Sequence, residues 1–298
     1  MKLTYFHATP PNFGDALNPY LWGRLLPQGF LDDDPSELFV GIGSILGEVY
    51  PPESRKIVMG SGYAGYVRPP DLASGMWNIV FVRGPRSAQA LDLPPEKGIC
   101  DSAIFLRVLP DLPAPEQGLK VGFMPHYQSL QRGHWESACT RAGIALIDPT
   151  LSPERTISQI RGLSLLITEA MHGAIVADAL RTPWVAVQPF HQSHRMKWSD
   201  WAQSVGLDIR FQPLSPSSVL EHFTLKTGRS GLSPKMRRLL GPPHMAPLDA
   251  FHVRKAAADL QDLARQSGTL SADSAIENVT ARAYDALDVF LRSRGHGR

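Results

Sequence analysis

With 298 residues, 43% of them hydrophobic and 19% charged, the chain is long enough for two domain cores and too apolar to be disordered throughout. The net charge is only +2 and no dense Lys/Arg block occurs, which argues against a dedicated nucleic-acid binder. Two cysteines, Cys100 and Cys139, supply neither a disulfide framework nor a paired zinc knuckle, and suit a reducing compartment.

The opening Met1–His7 passes into Thr9-Pro10-Pro11 without the longer apolar stretch of a signal peptide. No run approaches a membrane span, so a cytoplasmic protein is expected. Short apolar runs at Leu3–His7, Leu38–Ile42, Lys56–Met59 and Ile79–Arg83 predict strands, and Pro85–Leu91 a helix. The stretch 108–118, with three prolines and a closing glycine, predicts an interdomain linker. Beyond it, strand-like runs at Leu119–Met124, Ile144–Ile147, Leu163–Thr168, Trp184–Val187 and Leu207–Phe211 alternate with helix-like Trp135–Arg141, Pro153–Ile160, His172–Leu180 and Trp198–Val205. Strands joined by helical crossovers imply parallel sheets covered on both faces. The expected fold is therefore α/β, with two Rossmann-like doubly wound domains at 1–115 and 116–225. Two helices, Leu248–Gln266 and Ala272–Arg292, fall in a C-terminal extension at 226–298. From Lys226 onward there are 12 basic and 7 acidic residues. This tail is a candidate for peripheral contact with an anionic membrane surface or an acidic partner.

In open α/β sheets, ligands bind beyond the carboxyl ends of the strands, near helix N-termini. Asn12 and Asp15 follow the first strand in Asn12-Phe13-Gly14-Asp15, as cleft residues or as helix caps. Gly60-Ser61-Gly62-Tyr63-Ala64-Gly65 has the letters of a dinucleotide fingerprint, but Arg68-Pro69-Pro70 breaks the required helix and no acid follows about 20 residues on. Gly62 is read instead as part of a close-approach substrate loop or a plain turn. Arg83, before Gly84-Pro85, has the fork that fits phosphate or carboxylate, or else pairs with an acid. His126 holds the equivalent place after the first strand of the second domain, as a cleft residue or as a loop-capping histidine.

The most informative local stretch is Leu166-Ile167-Thr168-Glu169-Ala170-Met171-His172-Gly173-Ala174, a buried strand running into a small-residue helix with a histidine at the junction. Such a place suits a general acid or base. Glu169 and His172, with His191 and His194 behind, raise a metal site, but neither a second Glu-x-x-His nor a His-x-x-x-His helix is present, and no metal is expected. Arg195, Lys197, Trp198 and Trp201 after the fourth strand suggest an anion and sugar surface, or an amphipathic helix with buried tryptophans.

These residues together resemble the polysaccharide pyruvyl transferases, in the branch that adds ketal-linked pyruvate to bacterial exopolysaccharides. The matching features are Asn12-Phe13-Gly14-Asp15-Ala16-Leu17-Asn18-Pro19, Val82-Arg83 with Ser87, Cys100-Asp101-Ser102-Ala103, and Thr168–Ala174 with Lys197-Trp198, over about residues 1–210. The resemblance implies two facing domains like those of GT-B glycosyltransferases, phosphoenolpyruvate as donor, no further cofactor, and a hexose-containing lipid-linked oligosaccharide or polysaccharide as acceptor. It also implies that His172 is the catalytic histidine, Arg83 the donor-binding arginine and His126 a second cleft histidine. Asp15 is then oriented toward acceptor hydroxyls, and Asn12, Gly62, Met171, Arg195 and Lys197 join the binding set. One departure stands out: many members carry an arginine two positions before the catalytic histidine, where this chain has Ala170. A nucleotide-sugar glycosyltransferase and a non-catalytic scaffold of polysaccharide assembly remain the competing readings.

Overall fold

A computed structural model describes residues 1–188, 193–228, 235, 238 and 245–296. The chain forms two compact units, one of Met1–Leu112, Ser193–Ile209 and Ser271–Arg298, the other of Pro113–Gln192 and Arg210–Leu270.

Unit 1 holds a parallel sheet in the order β1 (Lys2–Thr4), β2 (Glu37–Val40), β3 (Arg55–Met59), β4 (Trp77–Phe81). Helix α1 (Phe13–Leu25) crosses from β1 to β2, while loops and one short 3-10 turn join the later strands. β4 runs into α2 (Pro85–Ala90) through Arg83 and Gly84. Strand residues Phe39, Val40, Ile57, Val58 and Met59 are fully buried, as expected of a parallel sheet covered on both faces.

Unit 2 holds a second parallel sheet in the order β6 (Ala145–Leu146), β5 (Val121–Met124), β7 (Leu165–Thr168), β8 (Trp184–Ala186). The chain moves outward from β5 to β6, then returns past β5 to β7, which is the doubly wound arrangement. The helices between its strands are α3 (Tyr127–Arg132), α4 (Trp135–Ala142), α5 (Pro153–Gly162) and α6 (Met171–Ala179). Within α6, buried Asp178 accepts a hydrogen bond from Trp184 Nε1 at 3.2 Å, which ties the helix to β8.

The division differs from the contiguous one expected, for reasons visible in the packing. Helix α7 (Ser193–Ser204) leaves the second sheet and joins unit 1. The linker beyond Leu112 is already docked on α5: Ser158 Oγ donates to Ala114 O at 2.6 Å, and Arg161 to Pro113 O. The expected extension at 226–298 is split between the units. α9 (Ala246–Leu263) inserts Ala256, Leu260 and Leu263 among Phe123, Trp135, Ile167 and Val185 of unit 2. α10 (Asp273–Ser293) buries Ile276, Val279, Ala283, Leu287, Phe290 and Leu291 in unit 1. Full burial of each such large side chain contributes about 1.5–3 kcal/mol. The run Leu207–Phe211 forms no ladder; only a bridge between Val187 and Gln212 extends the sheet there. α8 (Val219–Thr227) precedes α9. Among the described residues no helix is long and apolar enough to cross a membrane.

Candidate functional site

At the carboxyl ends of the unit 1 strands the arginine after β4 is completely enclosed. Arg83 donates from Nε to Asp200 Oδ2 at 3.1 Å and from Nη1 to Ser44 Oγ at 2.6 Å, and both ion-pair partners are buried. Its Nη2 is buried and has no hydrogen-bond partner among the described residues. Asp200 also accepts from the backbone N–H groups of Arg86 and Ser87, each at 3.0 Å, and from Ser87 Oγ at 2.6 Å. The cap residue of α2 is Gly84, which has no side chain to offer, so Asp200 from α7 performs the capping. The chain's own carboxylate thus occupies the helix terminus and Nε of the arginine, while Ser44 takes Nη1.

Two glycines make this packing possible. A Cβ on Gly62 would lie 2.1 Å from Arg83 Cζ, and one on Gly84 would lie 2.1 Å from the Asp200 carbonyl oxygen. Gly62 therefore has a packing role beside the guanidinium. No helix follows its loop, in keeping with the rejected dinucleotide reading. Ser87 Oγ also accepts from Tyr63 N at 2.9 Å, which joins the Gly62 loop to Asp200.

Asn12 is the N-cap of α1: its Oδ1 accepts from Gly14 N at 3.2 Å and its Nδ2 donates to Asp15. Pro19 cannot donate to Asp15 O one turn back, and Asn18 Nδ2 fills that vacancy at 3.2 Å. Asn18 also bonds Ile42 N and O, holding α1 to the end of β2, and its Oδ1 accepts from Trp22 Nε1 at 3.3 Å. Lys197 on α7 lies in the fields of Arg83 and Asp15. Burial and then the arginine's positive charge bring its ammonium down to about 8, with Asp15 opposing. Trp198 and Trp201 are both buried, so neither offers an exposed face to a sugar. The side chains of His194 and Arg195, and all of His191, lie outside the described residues.

In unit 2 the expected histidines stand at the topological switch point. His126 follows β5 and His172 follows β7, the adjacent strands between which the chain reverses. His126 caps α3 through Nδ1, which accepts from Gln128 N at 3.4 Å, an arrangement that leaves the proton of a neutral ring on Nε2. Glu169 is turned toward it: Oε2 accepts from His126 N at 2.9 Å and Oε1 from Ser129 Oγ at 3.0 Å. That carboxylate anchors the α3 terminus to the end of β7. Thr168 Oγ1 accepts from Ala170 N at 3.0 Å and shapes the turn into α6. His172, partly buried, occupies the first turn of α6. Gly173 lets that turn approach the sheet, since a Cβ there would lie 2.6 Å from Thr168 Oγ1 and 2.8 Å from Met124 Sδ. Met171 is buried, which makes its side chain packing and leaves only main chain at the helix start.

A second buried carboxylate lies behind α3. Glu221 accepts from Trp135 Nε1 at 2.9 Å, Ser217 N at 2.8 Å and Ser217 Oγ at 3.0 Å. Burial, with the negative charge of Glu169 added, pushes it up to about 8 despite these donors.

Among the described residues no three His, Cys, Asp or Glu side chains gather as a metal site. Cys100 and Cys139 are buried thiols, and burial raises both, Cys139 to about 12. The Cys100–Ala103 motif is structural: Asp101 accepts from Ala103 N at 3.0 Å and Ser102 Oγ donates to Met59 O at 2.7 Å. Asp200, Ser44, Ser129 and Glu221 were not singled out by sequence. Asp200 had one available signal, its place one turn after Lys197 on the same helix; Ser44 and Ser129 had none.

Two parallel α/β units, one with a buried arginine and a lysine at its strand ends and the other with histidines at its switch point, agree with a comparison to known families. Residues 12–189 match the polysaccharide pyruvyl transferase family, and the chain belongs to it. It is similar to the succinoglycan biosynthesis protein ExoV of Rhizobium meliloti (strain 1021), with 40% identity over 212 residues. That stretch covers 70% of this chain and 66% of the relative, so the chain spans just under two thirds of the relative's length. No solved structure matches significantly.

Proposed function

We propose that the protein transfers the pyruvyl group of phosphoenolpyruvate to two hydroxyls of one hexose in a lipid-linked exopolysaccharide unit, forming a cyclic ketal and releasing phosphate. The observation that carries this reading is the family match over 12–189, which encloses Asp15, Arg83, His126 and His172. The name of the relative, a succinoglycan biosynthesis protein, supports a polysaccharide context. On this reading the fold is GT-B-like, the protein works in the cytoplasm at the inner membrane, and no metal or further cofactor takes part.

The chemistry divides among the residues as follows. His172 protonates the methylene carbon of the donor, which leaves an oxocarbenium-like carbon bearing the carboxylate and the phosphate ester. One sugar hydroxyl attacks this carbon and passes its proton back to His172. Phosphate departs with its bonding pair, the second hydroxyl attacks the same carbon, and its proton ends on the released phosphate. Lys197 and His126 hold the donor's two anionic groups, the enclosed Arg83 adding its positive charge, and Asp15 and Asn12 orient the acceptor. These cations stand in for the arginine absent at position 170.

Acceptor-dependent phosphate release from phosphoenolpyruvate, measured beside nucleotide sugars, tests the reading. His172→Ala is expected to lower turnover by about 10²–10⁴-fold with unchanged circular dichroism. Full activity in both His172→Ala and Lys197→Ala would refute the residue roles. Turnover of a nucleotide sugar alone would replace the reaction, and a lack of response to every donor would favour a scaffold.

A further inference from the structure

From position 219 to position 258 the sequence contains seven Lys and Arg residues and only two carboxylates, Glu221 and Asp249. Both carboxylates are turned inward. Glu221 is held by Trp135 and Ser217; Asp249 is buried, accepts from Val219 N at 2.8 Å and lies 3.4 Å from His134 Nε2. Lys226, Arg254 and Lys255 are exposed, as are Lys235 and Arg238. The outer surface of α8 and the first half of α9 therefore carries positive charge with no exposed acid to offset it. The field is felt locally: after desolvation, Lys226, His252 and Lys255 each hold the His222 imidazole below its ordinary value. Acids resume at Asp259, which is occupied by Ser215 N, and at Asp262, which pairs with Arg265.

Large apolar side chains stand among these cations. Leu248 and Phe251 are each 53% exposed and Leu225 is 45% exposed. Leu248, Phe251, His252 and Lys255 recur at the 3–4 residue spacing of one helical face, while Ala256, Leu260 and Leu263 on the other face enter the core. A second copy of the chain does not fit such a surface, because two like-charged faces would repel. A soluble polyanion would use the cations and leave the Leu and Phe side chains in water. A bilayer with anionic headgroups satisfies both.

We infer that the α8–α9 face of unit 2 is a docking surface for an anionic lipid bilayer, with Leu225, Leu248 and Phe251 entering the headgroup layer and Lys226, Arg254 and Lys255 meeting lipid phosphates. The inference rests on the proposed reaction only for its purpose, bringing the protein to a lipid-linked acceptor. It replaces the general expectation of a basic tail with a defined patch of named residues. Attraction of this kind falls off within a Debye length, about 8 Å at physiological salt, so the contact is reversible.

The test is co-sedimentation of the full chain with vesicles rich in phosphatidylglycerol and with vesicles of phosphatidylcholine alone. Binding is expected to the first only, and to weaken as salt is raised. Leu248→Ser with Phe251→Ser, and separately Lys226→Glu with Arg254→Glu and Lys255→Glu, should each reduce binding at least ~10-fold. Val289→Ser, at an exposed apolar position of unit 1, should leave it unchanged. Phosphate release with a water-soluble acceptor should be equal in all of these variants, which separates failure of the surface from failure of the proposed reaction. Absence of binding to anionic vesicles overturns the inference, as does wild-type binding by both multiple variants. Wild-type binding to heparin by the Leu248/Phe251 variant, without vesicle binding by the native chain, assigns the patch to a polyanion instead.

Discussion

The strand ends of the two units are furnished in opposite ways. In unit 1 the strongest cation, Arg83, is sealed under Asp200, which also caps α2, so the groups that would attract an anion are mostly occupied from within. In unit 2 a carboxylate, Glu169, is likewise spent on a helix start, where it holds His126 as the cap of α3, while His172 lies in the first turn of α6, both beside the reversal of the sheet. Proximity to a strand end therefore does not by itself make a residue a ligand contact. What matters is how many of its donors the fold has already claimed. By that measure Arg83 retains one nitrogen, whereas Lys197 has its charge destabilised first by burial and then by the same arginine.

Breaking the ion pair should produce the largest effect on stability. Asp200→Ala leaves Arg83 charged and enclosed and uncaps α2, and should lower the unfolding free energy by about 3–5 kcal/mol in urea titration. An unchanged midpoint would mean that the guanidinium is not dependent on its partner. Glu169→Ala removes the analogous anchor in unit 2, where one cap and one Ser129 contact are lost. A loss of about 1–2 kcal/mol is expected, together with a lower kcat as His126 loosens.

Two perturbed groups, one in each unit, sharpen the contrast through pH. Glu221, raised to about 8 in the folded chain against an ordinary 4.5, binds its proton more tightly when folded. Its contribution to stability is complete below about pH 4.5 and is lost as pH rises toward 8. Glu221→Gln should flatten that slope in thermal unfolding measured across this range. On the proposed reading Lys197 holds the donor: its ammonium is lost as pH rises through about 8, so the KM for an anionic donor should climb above that pH. Lys197→Arg, which stays charged, should abolish the climb, an effect of about tenfold and the smallest of the series.

The strand and helix sequence was legible because the apolar runs are short, parallel and punctuated: β7 is buried throughout, and α5 begins at Pro153 behind the N-cap Ser152, whose Oγ accepts from Arg155 N. The positions of His126 and His172 at strand-to-helix junctions were legible because the apolar strands end just before them. The ion pair was not legible, since Arg83 and Asp200 are 117 positions apart and nothing local ties them. The same holds for the grouping of α7 and α10 with unit 1, which depends on which core their apolar faces complete. Trp198 and Trp201 looked suited to a sugar, and Met171 to a substrate, yet all three are packing residues. Composition specifies that a large apolar side chain is present; only the fold decides which side it faces.

The excursion of α7 and the return of α10 set an order of assembly. Unit 2 ends at Leu270, so its segments have all left the ribosome while unit 1 still lacks its last helix. The amino-terminal unit, first to be synthesised, is the last to be complete, an inversion of the usual order for multidomain chains. A fragment ending at Leu112 would hold Arg83 without its acid and the sheet without α10. Expression of that fragment alone should yield an aggregating chain, and a released chain truncated after residue 270 should yield one protease-resistant unit, the second.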